Sequence, residues 1–203
     1  MIKIGITGSL ASGKTTVSKI LSHRRGPLFS ADKVVKKLYK DKYFKNLLSK
    51  KFNIKNDNFT KKNIKKIILA NNNKKNIKKL EKIIHPLVRI NMKKFTDINQ
   101  NKKLLFYEIP LLIESKLMNY FDIIIFVKAK RNLRLKRFKS KNGNKKLFDL
   151  LDRQQLNDNK KIKFCNHLVV NEKNLKFLKK NLLGIISKYE WSFLRYRNNW
   201  FVI

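Results

Sequence analysis

Apolar residues follow two rhythms along this chain, one of period two and one of three to four. Ile2, Ile4 and Ile6 alternate with Lys3, Gly5 and Thr7, which predicts a short buried strand. Val17, Ile20 and Leu21 follow at helical spacing. Leu28-Phe29-Ser30 predicts a second strand ending near Ser30, and a helix starts near Asp32, carried by Val34, Val35, Leu38 and Tyr39. Between residues 40 and 103, Phe44, Leu47, Leu48 and Phe52 share one helical face, and Ile64, Ile67 and Ile68 share another. Leu80, Ile83, Ile84, Leu87, Val88, Met92 and Phe95 form the clearest run, punctuated by His85-Pro86, which reads as a kinked helix start. Leu104 to Tyr107 predicts a strand closing on Glu108, and Phe121 to Val127 is apolar almost throughout, as a parallel sheet covered on both faces requires. A basic helix from Arg131 toward Gly143, a helix over Leu147 to Leu156, a short strand at His167 to Asn171 and a closing helix marked by Leu175, Leu178, Leu182 and Ile186 complete the pattern. Strands alternating with helices predict an α/β fold around a parallel sheet.

The junction between the first strand and the first helix carries the sharpest chemistry. Gly8-Ser9-Leu10-Ala11-Ser12-Gly13-Lys14-Thr15 fits G-x-x-x-x-G-K-[ST], with Thr16 next. Its glycines let backbone N–H groups turn inward around phosphates, its lysine reaches the β/γ-phosphates and its threonine can hold Mg²⁺. Strand, glycine loop and helix come in the order that sets phosphates against a helix N-terminus. We read a nucleotide site.

Composition adjusts the picture only slightly. With 203 residues and 42% hydrophobic content, the chain can bury one sizeable core, and one compact unit is expected. The formal charge of +37 comes from 50 Lys and Arg against 13 Asp and Glu. Because the excess is mostly lysine spread in short runs among Asn, Ile and Phe, a solvated basic surface is favoured over a dedicated polyanion groove, and no nucleic acid partner is expected. The lone Cys165 excludes an internal disulfide, and the longest purely apolar run is far short of the ~20 residues that span a bilayer. A cytoplasmic protein without a membrane partner is expected.

Further candidate residues lie where parallel sheets gather ligands, at the carboxyl ends of strands. Asp32 reads either as a helix N-cap or as a base accepting a proton from an attacking hydroxyl. Glu108 reads as a carboxylate supporting Mg²⁺ or a substrate hydroxyl, or as an exposed turn residue before Pro110; Glu114 leans further toward the second. Arginines of the basic helix can close over a transferring phosphoryl group or simply line a solvated face. The tail from Trp191 to Ile203 admits a packed extension, a self-association surface or an RNA contact.

With these pieces in order, the sequence resembles the dephospho-coenzyme A kinases over roughly residues 2 to 186. The resemblance is carried by Gly5-Ile6-Thr7-Gly8 through Val17, Ala31-Asp32, His85-Pro86-Leu87-Val88-Arg89 and Pro110-Leu111-Leu112-Ile113-Glu114, followed by Arg137, Gln155 and Val169-Val170-Asn171. It implies a P-loop three-layer fold with core about 1–40 and 103–186, a helical CoA-binding insertion about 41–102, a lid about 131–160 and an extension about 187–203. The implied reaction is transfer of the ATP γ-phosphoryl to the 3′-hydroxyl of dephospho-CoA, with Mg²⁺. Residues 8 to 16 would hold nucleotide, with Asn171 near the adenine, and Thr15 and Glu108 would support metal. Asp32, Lys14 and Arg137 would be catalytic, and Asp32, His85, Arg89, Glu108, Pro110 and Leu111 would face the acceptor.

The chain departs from that pattern in three places. Ser30 stands where an additional Asp is usual, Glu108 replaces an Asp, and Lys141 sits where a second lid arginine is common. Glu moves the charge about one bond outward, and Lys gives up Arg's planar fork.

Overall fold

Five strands, β1 (Ile2–Gly8), β2 (Leu28–Ser30), β3 (Leu104–Glu108), β4 (Ile123–Lys128) and β5 (His167–Val170), form one parallel sheet in the order β2-β3-β1-β4-β5. The computed structural model describes residues 1–55, 62–64, 66–67 and 74–198, with side chains described through residue 190. Among these residues the helices are α1 (Lys14–Ser22), α2 (Ala31–Leu38), α3 (Lys42–Phe52), α4 (Lys74–Ile98), α5 (Arg131–Lys139), α6 (Lys145–Gln154), α7 (Asp158–Ile162) and α8 (Leu175–Asn198). Ile68 and the aromatic side chains expected to mark the tail lie outside the described residues.

Period-two alternation sends the two faces of the sheet to different cores. Ile4, Ile6, Phe106, Ile125, Val127 and Val169 pack with Val17 and Leu21 of α1 and with Leu178, Leu182 and Ile186 of α8. On the other face, Leu105, Tyr107 and Ile124 meet Phe29, Ala31, Val88 and Met92. Both faces are covered, so β3 and β4 read as nearly continuous apolar runs. A third, smaller cluster joins Phe44 and Leu48 of α3 to Ile64 and to Leu80, Ile83 and Leu87 of α4. The helical segment therefore has apolar contacts of its own, and α3 is capped by the Asp41 carboxylate, which accepts from the Phe44 amide at 2.7 Å.

Two expectations are corrected here. Pro86 does not start or break a helix: α4 runs from Lys74 to Ile98 with Pro86 inside it, so His85 sits mid-helix. An interior proline costs ~3 kcal/mol, but Ile77, Val88 and Met92 on either side are buried, and their burial outweighs one lost backbone bond. The closing helix also continues past Ile186 to Asn198, absorbing part of the expected extension. The short helix α7 has no periodic signature in the sequence.

One polar node stands inside the aromatic core beneath α4. Thr96 Oγ1 donates to the Met92 carbonyl at 2.9 Å and accepts from the Tyr107 and Tyr120 hydroxyls at 2.7 and 2.6 Å. Around it the Tyr107 ring meets Phe95 and Phe121 edge-on, each at 5.3 Å between centroids. No described helix is long and apolar enough to cross a membrane.

Gly5 shows how closely the sheet is covered: a Cβ there would lie 2.8 Å from Leu112 Cδ1 and 2.9 Å from the Phe121 ring. We expect Gly5→Ala to lower unfolding stability by ~1–3 kcal/mol through overpacking, measured by urea denaturation. An unchanged midpoint would show that Leu112 and Phe121 can give way.

Candidate active site

The loop between β1 and α1 can close only because its backbone leaves the conformations ordinary residues prefer. Gly8 and Gly13 have φ of +148° and +99°, and Ala11 adopts a left-handed +58°. A Cβ on Gly8 would lie 2.2 Å from the Val127 carbonyl oxygen, and one on Gly13 would lie 2.1 Å from Asn171 Nδ2. Gly13 occupies the N-cap of α1 without a capping side chain, so the helix's first N–H groups and positive dipole end stay available to an anion.

The loop's carbonyls are held from outside by cationic and amide donors. Lys14 Nζ donates to the Gly8 and Ser9 carbonyls at 3.0 and 2.8 Å. Arg134 Nη1 reaches the Leu10 carbonyl at 3.3 Å, while Arg137 Nη1 and Asn171 Nδ2 reach the Ser12 carbonyl at 3.2 and 2.9 Å. Ser9 Oγ donates to the Asp158 carboxylate on α7. Arg134 is itself fixed by Asp152 at 2.5 Å. Arg137 Nη2 also donates to the Asn171 carbonyl at 3.0 Å, so the expected catalytic arginine and the residue expected near the adenine brace each other as well as the loop.

Strand register brings the candidate acids to the same end. Glu108 pairs in register with Ser30 on one side and Ile6 on the other, and it is buried rather than exposed. Its Oε1 accepts from Thr15 Oγ1 at 2.5 Å. Asp32 is the second residue of α2, whose N-cap is Ser30, so capping does not account for it. Burial pushes the Asp32 carboxyl up from its ordinary value and Glu108 adds to this, while Lys14, Lys36 and Lys141 oppose it. Burial depresses Lys14 to about 8, with Asp32 opposing and Lys161 and Arg134 adding to the fall.

Two cavities open beside these groups. One of about 610 Å³ is lined by Leu10, Ala11, Gly13 and the run Lys14 to Thr16, together with Glu108, Arg137, Lys141, Gln155 and Asn171. The other, about 260 Å³ and chiefly apolar, is lined by His85, Arg89 and Leu111 together with Val88, Met92 and Leu151. Asp32 and Pro110 line both. Burial, reinforced by Arg89, lowers the His85 pKa and favours its neutral ring. Arg89 Nη2 donates to the Ser115 carbonyl at 2.8 Å. His85 and Arg89 thus meet Asp32 across the smaller cavity and stand apart from the larger one.

Several residues at the site were not singled out from sequence: Arg134, Asp152, Asp158, Lys161 and, on the wall of the smaller cavity, Glu81. A signal existed for the acids. Only 13 carboxylates remain in the chain, so each one has a raised prior of holding something.

The arrangement joins an anion cradle to an apolar cavity with a raised-pKa carboxylate at their common wall, a layout that suits phosphoryl transfer to a hydroxyl. Comparison with known proteins gives the same direction. The family model described as CoaE, dephospho-CoA kinase, matches residues 2–176. The dephospho-CoA kinase of Bartonella henselae is 34% identical over 188 residues, covering 90% of this chain and 95% of that protein. That of Fusobacterium nucleatum is 32% identical, covering 88% and 94% respectively. In fold, the crystal structure of TT1252 from Thermus thermophilus superposes with a TM-score of 0.75 at 24% identity, over 92% of this chain and 97% of that one.

The depressed Lys14 has a measurable consequence. Between about 8 and the unperturbed 10.5, the unfolded chain keeps a proton that the folded chain has released, so this lysine's contribution to stability rises with pH. We expect the ligand-free protein to gain on the order of 3 kcal/mol relative to Lys14→Met across that interval, read from urea unfolding at each pH. Parallel pH curves for the two proteins would contradict the burial of the ammonium.

Proposed function

The chain belongs to the dephospho-CoA kinase family, an ATP-dependent kinase of the last step of CoA biosynthesis, and from that premise we propose which residues carry the reaction. The observation that supports the assignment best is the position of Asp32 on the wall between the two cavities. ATP takes the larger cavity with its phosphates against residues 8 to 16, and dephospho-CoA takes the smaller. The ribose 3′-hydroxyl then meets Asp32, which accepts its proton as the oxygen attacks the γ-phosphorus, the bond from that phosphorus to the β,γ-bridging oxygen breaks and ADP leaves. A carboxyl whose pKa is pushed up by burial is a better base near neutral pH than an ordinary aspartate.

Lys14 exchanges its hydrogen bonds to the Gly8 and Ser9 carbonyls for phosphate oxygens, and the incoming negative charge restores its full protonation. Arg137, already aimed at the loop from α5, stabilises charge on the transferring group. Asn171 fixes the Ser12 peptide under the phosphates. His85, Arg89, Pro110 and Leu111 shape the acceptor side. The hydroxyl of Thr15 and the carboxylate of Glu108, hydrogen-bonded to each other, are hard oxygen donors of the kind Mg²⁺ takes along with water and phosphate oxygens. When bound there, the ion neutralises phosphate charge. Glu108 keeps the charge of the more usual Asp within the same donor set.

In this reading residues 1–40 and 103–186 form the catalytic core, 41–102 the acceptor-binding insertion and 131–160 the lid, in a cytoplasmic enzyme. A coupled assay offering dephospho-CoA beside nucleoside monophosphates tests it, and preference for the latter would overturn the acceptor. We expect Asp32→Asn to cut turnover by ~10² or more while ATP-analogue affinity stays close to wild type, and to remove the acidic limb of the kcat/KM profile. That limb should lie above the range of an ordinary aspartate, because the cavity raises this carboxyl. Lys14→Ala should damage both nucleotide affinity and rate.

A further inference from the structure

One buried cation enters the scheme above only as a charge felt by Lys14. Lys161, on α7, is 0% exposed. Its Nζ lies 3.2 Å from Glu114 Oε1 and 3.1 Å from Gln155 Oε1, and 5.7 Å from the centroid of the Phe126 ring. Glu114 Oε1 also accepts from the Leu156 amide at 3.1 Å, while its Oε2 is buried without a hydrogen-bond partner. Burying an ammonium is expensive, and an apolar chain of similar volume would often be as stable or more so. Stability alone is therefore a weak account of Lys161.

Its neighbours lead to both cavities. Gln155 lines the larger one, and Asp158, on the same short helix as Lys161, holds Ser9 of the phosphate loop. On the other side, Glu114 is followed by Ser115, which lines the smaller cavity and whose carbonyl holds Arg89. A path thus runs from Arg89 by a hydrogen bond to the Ser115 carbonyl, along the backbone to Glu114, and by polar contacts through Lys161 to Gln155. The spare Glu114 Oε2 offers a second acceptor on the same carboxylate, so the joint can shift without breaking the ion pair.

We propose that Lys161 is a positioning residue: by tying Glu114 to Gln155 it couples occupancy of the acceptor cavity to the setting of the lid segment over bound nucleotide. This rests on the reading that the two cavities take dephospho-CoA and ATP. Lys161 touches neither substrate; it acts through Gln155 and Glu114.

The test measures affinity for a non-hydrolysable ATP analogue with and without saturating dephospho-CoA, by calorimetry, for wild type, Lys161→Met, Lys161→Arg and the double variant Lys161→Met with Glu114→Gln. In wild type the acceptor should tighten analogue binding by ~5-fold or more. In Lys161→Met that enhancement should fall to within ~2-fold of none while affinity for the analogue alone is nearly unchanged, and kcat should drop by ~10-fold or more. Lys161→Arg should recover most of the coupling. Because Lys161→Met leaves a buried carboxylate uncompensated, the neutral double variant serves as the folded control and should show the same loss. Retained coupling in either folded variant overturns the proposal, as does a wild type that turns over dephospho-CoA without coupling. If both variants fail to fold, the lysine is structural and the proposal falls. A wild type that does not phosphorylate dephospho-CoA overturns the underlying assignment and this inference with it.

Discussion

The site depends on finding hydrogen-bond donors for the backbone carbonyls of residues 8, 9, 10 and 12. A loop that turns its N–H groups inward must turn carbonyls outward, and outward carbonyls need donors. Here the donors are Lys14, Arg134, Arg137 and Asn171, which together serve Gly8, Ser9, Leu10 and Ser12. Three of the four are cations, so the same side chains that hold the loop's shape also make its concave side positive. The cradle is therefore an assembled object. It joins the first β-α unit to α5 and to the end of β5, and no isolated stretch of eight residues would hold it.

This division explains what could be read from the sequence. The strand, the glycine turn and α1 are adjacent along the chain, so local periodicity and left-handed glycines announce them. Glu108 and Asp32 were recognisable because each closes or follows an apolar strand, and in a parallel sheet all such ends face one way. The acceptor side came from the family resemblance, since helical periodicity showed only faces that need covering. The contacts from α5 to α7 stayed hidden for a different reason. In a lysine-rich chain a positive residue carries little information, and nothing local distinguishes Arg134, locked to Asp152, from the more exposed Arg131 one turn earlier. The proline in α4 misled because its local penalty was weighed without the burial that surrounds it.

Scarcity of acid gives the fold part of its specificity. Asp41 caps α3, Asp122 accepts from the Lys3 amide at 2.7 Å, Glu190 pairs with Arg25 at 2.8 Å, Asp152 holds the loop through Arg134, and Asp158 holds it through Ser9. With so many competing cations, each carboxylate could be paired in many wrong ways. Burial and backbone geometry select among them, because an exposed pair contributes only ~0–1 kcal/mol.

The hydroxyl of Thr96 fixes the axial position of α4. Hydrogen bonds to Tyr107 of β3 and to Tyr120, with a cage of rings, hold that end of the helix in place, so sliding along its axis would strand two tyrosine hydroxyls in an apolar setting. His85 lies eleven residues away, ~16 Å at the rise of an α-helix, and Glu81 farther still. Val88 and Met92 lie along that span and are buried against the sheet, so the wall that α4 gives the smaller cavity is set by the same packing that holds the rings under β3.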